Sequence, residues 1–209
     1  MELLKNLNWR YATKTFDKTK KVAKNDLEKI KEAIRLSPSS FGLQPYKVFV
    51  IESQTVKEKI KAAAWGQGQT VDCSHLFVFC SYKHLKDEHI DELFDLKASA
   101  FGKDKSEFEG YISFIKGKVA EKSSDVQGIW NSRQAYIGLG NLINACAELK
   151  IDACPMEGFD PKKVGEILDL ESKNLNAVVL AAVGYRSDED QTQSFPKVRK
   201  SNEVLFETL

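Results

Sequence analysis

The sequence lacks the common signatures of protein-based catalysis. It contains no G-x-S-x-G nucleophile elbow, no P-loop and no G-x-G-x-x-G after a predicted strand. Its three histidines form no H-x-x-x-H pair, so we expect no metal site. No side chain stands out as a nucleophile or as an essential acid or base. Chemistry in such a protein usually belongs to a bound cofactor.

A strong net charge, disulfide spacing and long apolar runs are absent as well. The 31 Lys and Arg residues nearly balance 30 Asp and Glu, which argues against a nucleic-acid or membrane partner. The four cysteines form no C-x-x-C pair, and three lie in apolar runs, so we expect reduced core residues. No stretch is apolar enough for a membrane span or a signal peptide, so we expect a cytoplasmic protein.

What is present is a series of helical and strand-like segments. With 209 residues and 42% hydrophobic content, the chain suits one domain over residues 1–209. An apolar run at 128–149 predicts a central buried helix. Because helices outnumber strands without a β-α-β alternation, we predict an α+β fold with a small sheet wrapped by helices. Buried strands are predicted at residues 46–52, 75–82 and 176–186.

Several helix ends can be read from capping residues. Asn25 with Glu28 resembles a capping box at the start of a helix. Asp160 followed by proline predicts another helix start. Residues 87–122 predict two helices, broken near Gly102 and Asp104. The final segment EVLFETL is strand-like and follows a polar tail, so it is expected to pair elsewhere, on a partner subunit.

Three small clusters could carry chemistry. Arg10 and Lys14 would share one face if the first helix, predicted over residues 2–13, contained them. Lys197 and Arg199 point the same way in extended chain. Each pair, taken alone, is more simply interpreted as a solvated charged surface. Together they predict a positive, phosphate-sized site built from both ends of the chain. Residues 154–159 predict a tight turn.

Five segments together resemble one known family. They are RYATKTFD, SPSSFGLQPYKVFVI, VDCSHLFVFC, CPMEGFD and FPKVRK, between about residues 8 and 200. Their order and spacing are similar to those of the FMN-dependent nitroreductases. Within that family they most resemble the bacterial oxygen-insensitive NAD(P)H nitroreductases, also called dihydropteridine reductases. The resemblance implies a nitroreductase-like fold with a small mixed central sheet. It also implies an intertwined homodimer that binds two FMN molecules at its interface, with the C-terminal segment crossing to the partner.

The resemblance assigns cofactor-binding roles to residues of this chain. It implies that Arg10, Lys197 and Arg199 bind the FMN phosphate. Lys14 would lie at the pyrimidine edge, where its charge tunes the flavin electrostatically rather than by proton transfer. The backbone N–H groups of Glu157 and Gly158 would face the ring. The remaining implied contacts are Pro155 and Met156 on the ring face, and Pro38, Ser39 and Ser40 supplied by the other subunit.

Some positions depart from the family pattern. Tyr11 and Ala12 stand where close relatives have His and Ser, so one ribityl or phosphate contact is expected to be lost. Gln67 and Gln69 lie where the family contacts ribityl and pyrimidine, with Gln69 in place of a lysine. On the substrate side, Phe41 replaces a small polar residue and Gly42 an amide. Residues 85–125 are the least family-like and are expected to form a variable helical region near the substrate.

The resemblance also implies a function. We expect an FMN-dependent NAD(P)H oxidoreductase with ping-pong kinetics, passing hydride from NADH or NADPH through FMN N5 to a nitroaromatic, quinone or pterin-like acceptor. Two alternatives stay open. One is a different reaction on the same fold, such as dehalogenation or flavin fragmentation. The other is a flavin-binding protein without catalysis. The sequence decides neither the physiological acceptor nor the choice between NADH and NADPH.

Overall fold

The computed structural model describes all 209 residues and combines nine helices with one four-stranded sheet. No helix combines the length and the apolar character that crossing a membrane requires. The helices are α1 Glu2–Trp9, α2 Lys24–Arg35, α3 Gln54–Ala63, α4 Gln69–Asp72, α5 Asp87–Phe101, α6 Glu109–Ala120, α7 Ser124–Glu148, α8 Pro161–Leu168 and α9 Asn202–Leu205. The strands are β1 Tyr46–Ile51, β2 His75–Tyr82, β3 Asp152–Met156 and β4 Leu175–Gly184.

The sheet has the order β1-β2-β4-β3, and every neighbouring pair is antiparallel. The α+β class is thus confirmed, but the expectation of a mixed sheet is wrong within this chain. The apolar runs of β2 and β4 reflect burial by helices on both faces, and such burial does not fix strand direction. The one parallel pairing is an isolated bridge between Ala12 and Ala153.

The predicted turn at residues 154–159 is wrong for its first three residues, which belong to strand β3. The segment Asp152–Met156 pairs with β4, and the turn begins only at Glu157. Proline is depleted from strands because it cannot donate to the ladder. Pro155 is tolerated because β3 is an edge strand of the sheet.

The core lies on both faces of the sheet. A cluster of 18 buried residues fills one face, between the sheet and helices α3 and α8. A cluster of 15 fills the other, beneath α2 and α7. A separate cluster of six residues holds α5 and α6 together: Leu85, Ile90, Phe94, Ile112, Ile115 and Val119.

Helix α7 confirms the predicted central helix. It packs closely on the sheet, since a Cβ added at Gly138 would lie 3.2 Å from the hydroxyl of Tyr46. The prediction of burial all round is only partly confirmed, because several large apolar side chains of α7 remain exposed in the single chain. These are Val126, Ile129, Tyr136 and Ile137.

Other predicted helix ends divide between confirmed and wrong. The helix start at Asp160 is confirmed, and α5 ends at the left-handed Gly102 as expected. Helix α2 begins one residue before Asn25, with Ala23 at the cap position and no side-chain cap. The segment EVLFETL forms no strand here. Residues 202–205 are a short exposed helix, because a lone strand leaves its backbone groups unpaired.

Candidate functional site

The segment from Arg10 to Lys14 lies outside any helix, which corrects the expectation that both side chains lie on one helix face. Helix α1 ends at Trp9, and Arg10 has φ −69° and ψ 148°. The bridge from Ala12 to Ala153 then lays this strip beside β3. The strip therefore runs alongside the strand that leads into the turn at Glu157.

A buried carboxylate, Asp190, fixes the strip. Its Oδ2 accepts hydrogen bonds from the backbone N–H groups of Lys14 at 2.7 Å and Thr15 at 3.1 Å. The hydroxyl of Tyr11 donates to the same oxygen at 3.2 Å. Burial alone raises the pKa of Asp190, but the hydroxyl and N–H donors around it outweigh burial and hold the pKa below its usual range. Asp190 is thus an ionised anchor for the strip.

A second buried carboxylate orients the aromatic residues at the start of the strip. Asp152 pairs with Arg186, whose Nη2 lies 2.6 Å from Oδ1 and whose Nε lies 3.0 Å from it. The guanidinium of Arg186 stacks on Trp9 and Tyr11, with ring-centroid distances of 4.4 and 4.5 Å. Asp152 is only 4% exposed, so removal of either partner would leave the other charged group unpaired in a buried or partly buried place.

The strip and the C-terminal tail together enclose a cavity of about 370 Å³ with no acidic residue in its wall. Its cations are Arg10, Lys197 and Arg199, and none of them forms an ion pair with a carboxylate. The ammonium of Lys197 donates to the carbonyls of Leu7, at 2.8 Å, and Arg10. Burial and the two neighbouring arginines lower the pKa of Lys197.

Arg10 lacks a partner that its position demands. Its Nε is buried and makes no hydrogen bond. Burial and the charge of Arg199 lower the pKa of Arg10. A buried donor without an acceptor costs free energy, roughly 1–3 kcal/mol. An anion in the cavity would satisfy this donor and reduce the repulsion among the three cations.

The turn after β3 presents backbone donors. The N–H groups of Glu157 and Gly158 donate to no acceptor within the chain. The Gly158 carbonyl accepts from Gln67 Nε2 at 2.6 Å, and a Cβ at Gly158 would lie 2.8 Å from the Trp65 ring. Tyr136 donates to the Glu157 carboxylate, so α7 holds the side chain away from the turn backbone. Burial and this contact raise the pKa of Tyr136 to about 12.

Residues flanking this turn differ from the expected ring contacts in one respect. Successive strand residues point to opposite faces, and Met156 lies in the core at 5% exposure while Pro155 faces outward. The Met156 side chain therefore points into the core and Pro155 is the exposed one of the two, while their contact with a flavin ring stays a prediction. The side chain of Gln69 makes no hydrogen bond within the chain, although the residue is buried. Lys14 forms no ion pair with a carboxylate. Burial raises the pKa of the Cys154 thiol, and the positive charge of Lys14 offsets part of that rise.

The segment from Pro38 to Gly42 is fixed on α7 instead. The backbone N–H of Ser40 donates to Gln134 Oε1 at 2.9 Å, and Asn141 donates to Ser37 Oγ at 2.7 Å. Ser39 Oγ accepts from the N–H of Gln44 at 2.8 Å. These bonds leave the Ser40 hydroxyl free.

Phe41 adopts an uncommon backbone conformation beside an aromatic group. Its φ is 57°, and Gly42 follows at 75°. The Phe41 ring meets the edges of Phe114 and Trp130, each with a centroid distance of 6.3 Å. The substrate-side residue therefore packs on α6 and α7, in contact with the helical region that was expected near the substrate.

The structure thus sorts the predicted site residues into two groups on different faces of α7. Gln134 and Asn141, seven residues apart, hold the Pro38–Gly42 segment on one face. Tyr136 holds Glu157 on the other, about 200° around the axis from Gln134 at 100° per residue. The two groups therefore lie on opposite sides of α7 within one chain.

Four important residues were missed from the sequence: Asp152, Arg186, Asp190 and Tyr136. Asp190 left one signal, because the spacing Asp190-x-Thr192 is typical of a side-chain cap, and Asp190 does accept from Thr192. The Asp152–Arg186 pair left none, since its partners lie 34 residues apart and charged residues in strands usually face solvent.

The fold and the cation cluster define an α+β protein with a positively charged pocket made from both ends of the chain. The model of the Nitroreductase family matches residues 7–185. YfkO of Bacillus subtilis, whose name places it among the NAD(P)H nitroreductases, is 33% identical over 97% of this chain and 95% of its own. The chain therefore belongs to the nitroreductase family.

Solved structures show the same fold. The ydfN structure from Bacillus subtilis has a TM-score of 0.89 at 24% identity, covering 100% of this chain and 99% of its own. A nitroreductase-like structure from Exiguobacterium sibiricum, solved in complex with FMN, has a TM-score of 0.84 at 19% identity, covering 100% and 98%. The predicted nitroreductase-like fold is confirmed.

Proposed function

We propose that this protein is an FMN-dependent NAD(P)H oxidoreductase that reduces nitroaromatic, quinone or pterin-like acceptors. The observation that carries the proposal is the cavity between the strip and the tail, with three uncompensated cations and a buried Arg10 Nε that lacks an acceptor. Membership of the nitroreductase family and the FMN complex of a structural neighbour support the same cofactor.

The residues present fit FMN at its phosphate end. Arg10, Lys197 and Arg199 supply the charge that a phosphate dianion requires, and arginine can bind it through two parallel hydrogen bonds. No carboxylate in the cavity wall would repel the phosphate. Ala12 offers no hydroxyl, and the nearby Tyr11 hydroxyl donates to Asp190. We therefore still expect one polar contact to FMN to be lost at this position.

The residues beside the turn fit the ring end. When bound, FMN supplies the hydride-accepting and hydride-donating chemistry that no side chain here provides. Lys14 contributes a positive charge where the family pattern places the pyrimidine edge. The free N–H groups of Glu157 and Gly158 are donors available to ring acceptors, and Pro155 offers an apolar surface. The nearby carboxylate of Glu157 is held by Tyr136, so we assign no essential acid or base.

We also propose a homodimer, in which Pro38, Ser39 and Ser40 complete the partner's site. Two features support it: the separation of the two residue groups across α7, and the exposed apolar side chains of α7 and the C-terminal tail. Covering such surface is favourable by about 25 cal/mol per Å². The proposed flavin-binding unit is the whole of residues 1–209, acting in the cytoplasm.

The test is the absorption spectrum of the purified protein before and after anaerobic addition of NADH or NADPH. We expect a yellow protein whose visible absorbance bleaches on reduction and returns when a quinone or nitroaromatic is added. A colourless protein that takes up no added FMN would overturn the proposal. Bound FMN that neither nucleotide bleaches would instead indicate a flavin-binding protein without this activity.

A further inference from the structure

A second positive cavity lies at the start of α2, and it shares no residue with the proposed FMN site. Its volume is about 600 Å³. The wall contains three lysines and two glutamates. Lys31 pairs with Glu28 at 2.8 Å, whereas Lys21 and Lys24 have no carboxylate partner. The positive charge without a carboxylate partner therefore lies on Lys21 and Lys24, beside the start of α2.

The N-terminus of α2 adds backbone donors to this charge. Ala23 occupies the cap position and cannot supply a side-chain oxygen. The N–H groups of Lys24 and Asn25 consequently donate to no acceptor in the chain. Free N–H groups at a helix N-terminus, with the positive end of the helix dipole, favour an anion. The 12-residue length of α2 gives this dipole its usual strength.

His75 supplies an independent donor that is 7% exposed and lines the same cavity. Its Nδ1 lies 2.9 Å from Ser74 Oγ, which itself accepts from the N–H of Val22 at 2.8 Å. We assign the Ser74 hydroxyl as the donor to His75 Nδ1, which places the proton of the neutral ring on Nε2. Glu52 lies 3.6 Å from Nε2, which is too far for a hydrogen bond.

A buried lysine fixes the backbone beneath the cavity. Lys57 is completely buried, and its ammonium donates to the carbonyls of Cys73 at 2.7 Å and Ser74 at 2.8 Å. Ser74 is therefore held from both its main chain and its side chain. The donor on His75 is positioned before any ligand arrives, which is the condition for a selective site.

We propose that this cavity is a second anion site, which binds the phosphate group of a small molecule. The Nε2–H of His75 and the free N–H groups of Lys24 and Asn25 donate to the phosphate oxygens, and Lys21 and Lys24 neutralise its charge. Glu52 opposes binding and limits the affinity. The site is independent of the FMN pocket and of the proposed activity.

The test follows the imidazole nitrogens of His75 by NMR in protein saturated with FMN, so that the first phosphate pocket is filled. The chain has only three histidines, and H84Q and H89Q identify the signals of the other two. We expect the free protein to show the Nε2–H form. Titration with inorganic phosphate should shift it saturably, and ribose 5-phosphate should do so at lower concentration if the natural ligand is a sugar phosphate.

Variants separate a built site from general charge effects. The K21A/K24A protein should bind phosphate roughly tenfold more weakly or worse, and E52Q should bind it more tightly. The matched control is K29A, on the same helix but paired with Asp26 outside the cavity. No saturable shift at His75, or equal affinities in K21A/K24A and K29A, would overturn the proposal. Because the reporter is local to His75, this result does not depend on flavin reduction.

Discussion

The strip at Arg10–Lys14 and the helical region at residues 87–120 are held in place by different forces. The strip depends on two buried carboxylates, Asp152 and Asp190, which gather hydrogen bonds from distant parts of the chain. The helical region has its own small apolar cluster and ion pairs at its surface, such as the partly exposed pair of Asp91 with Lys116.

This difference indicates which role suits each region. Directional hydrogen bonds fix atoms within a few tenths of an ångström, which suits a site for a cofactor of constant shape. Apolar packing tolerates exchange of one side chain for another of similar volume. In the proposed function, exchange of exposed aromatic residues in the helical region would change the preferred acceptor, while the strip would keep the cofactor.

The largest expected effect is on folding, from removing the carboxylate under the strip. Asp152→Ala leaves the partly buried Arg186 without its partner, and we expect a loss of about 3 kcal/mol in the free energy of unfolding. Urea denaturation measures it. Asp91→Ala is the matched control in the helical region and should have a small effect, because its ion pair lies at the surface. Equal losses of unfolding free energy in the two variants would show that the strip and the helical region do not differ in how they are held.

The next effect is on flavin binding. Lys14→Ala with Arg199→Ala should weaken FMN affinity about 100-fold, since two charged contacts are lost from one ligand. Quenching of flavin fluorescence on binding measures the affinity. The double variant Lys103→Ala with Lys118→Ala removes the same charge from the helical region and should bind FMN normally. Normal flavin content in the first variant would show that the pocket is assigned wrongly.

A smaller effect concerns pH and Asp190. Because the folded pKa is depressed below 3.8, the carboxylate stabilises the folded state above its unfolded pKa. That stability is lost as pH falls through the folded pKa. Asp190→Asn should therefore cost about 1–3 kcal/mol at neutral pH. The difference from the unmodified protein should shrink in acid, below about pH 4. Unfolding curves across this range test it, and a difference that does not change with pH would contradict the assignment.

The smallest effect is on acceptor preference. If Phe41 walls the acceptor site and favours flat apolar molecules, Phe41→Thr should change the ratio of kcat/KM between a quinone and a nitroaromatic by about tenfold or less. Phe101→Thr, an exposed ring on α5, is the control. An unchanged ranking in the Phe41 variant would mean that Phe41 serves only packing.

The sequence predicted features that depend on neighbouring residues better than those that depend on distant ones. The start of α8 at Asp160 and the break at Gly102 follow from local capping chemistry. That Arg10 and Lys197 lie in one site could be predicted only by taking the two charged clusters together, since each cluster alone is typical of a solvated surface. Asp190 escaped prediction because its role depends on N–H groups 176 and 175 residues away. The non-helical conformation of the strip likewise comes from its bridge to β3 rather than from local preference.

The place of Lys197 and Arg199 in the chain has a consequence for the order of assembly. The three hydrophobic clusters contain no residue after Tyr185, so the sheet and both of its packed faces can form before the tail is present. Two of the three cations proposed to bind the FMN phosphate come only afterwards. Flavin uptake would then be the last event in maturation, and a chain interrupted before Pro196 would keep its core but be colourless. Colour in this protein would thus report that synthesis had passed Arg199, as well as that the core has folded.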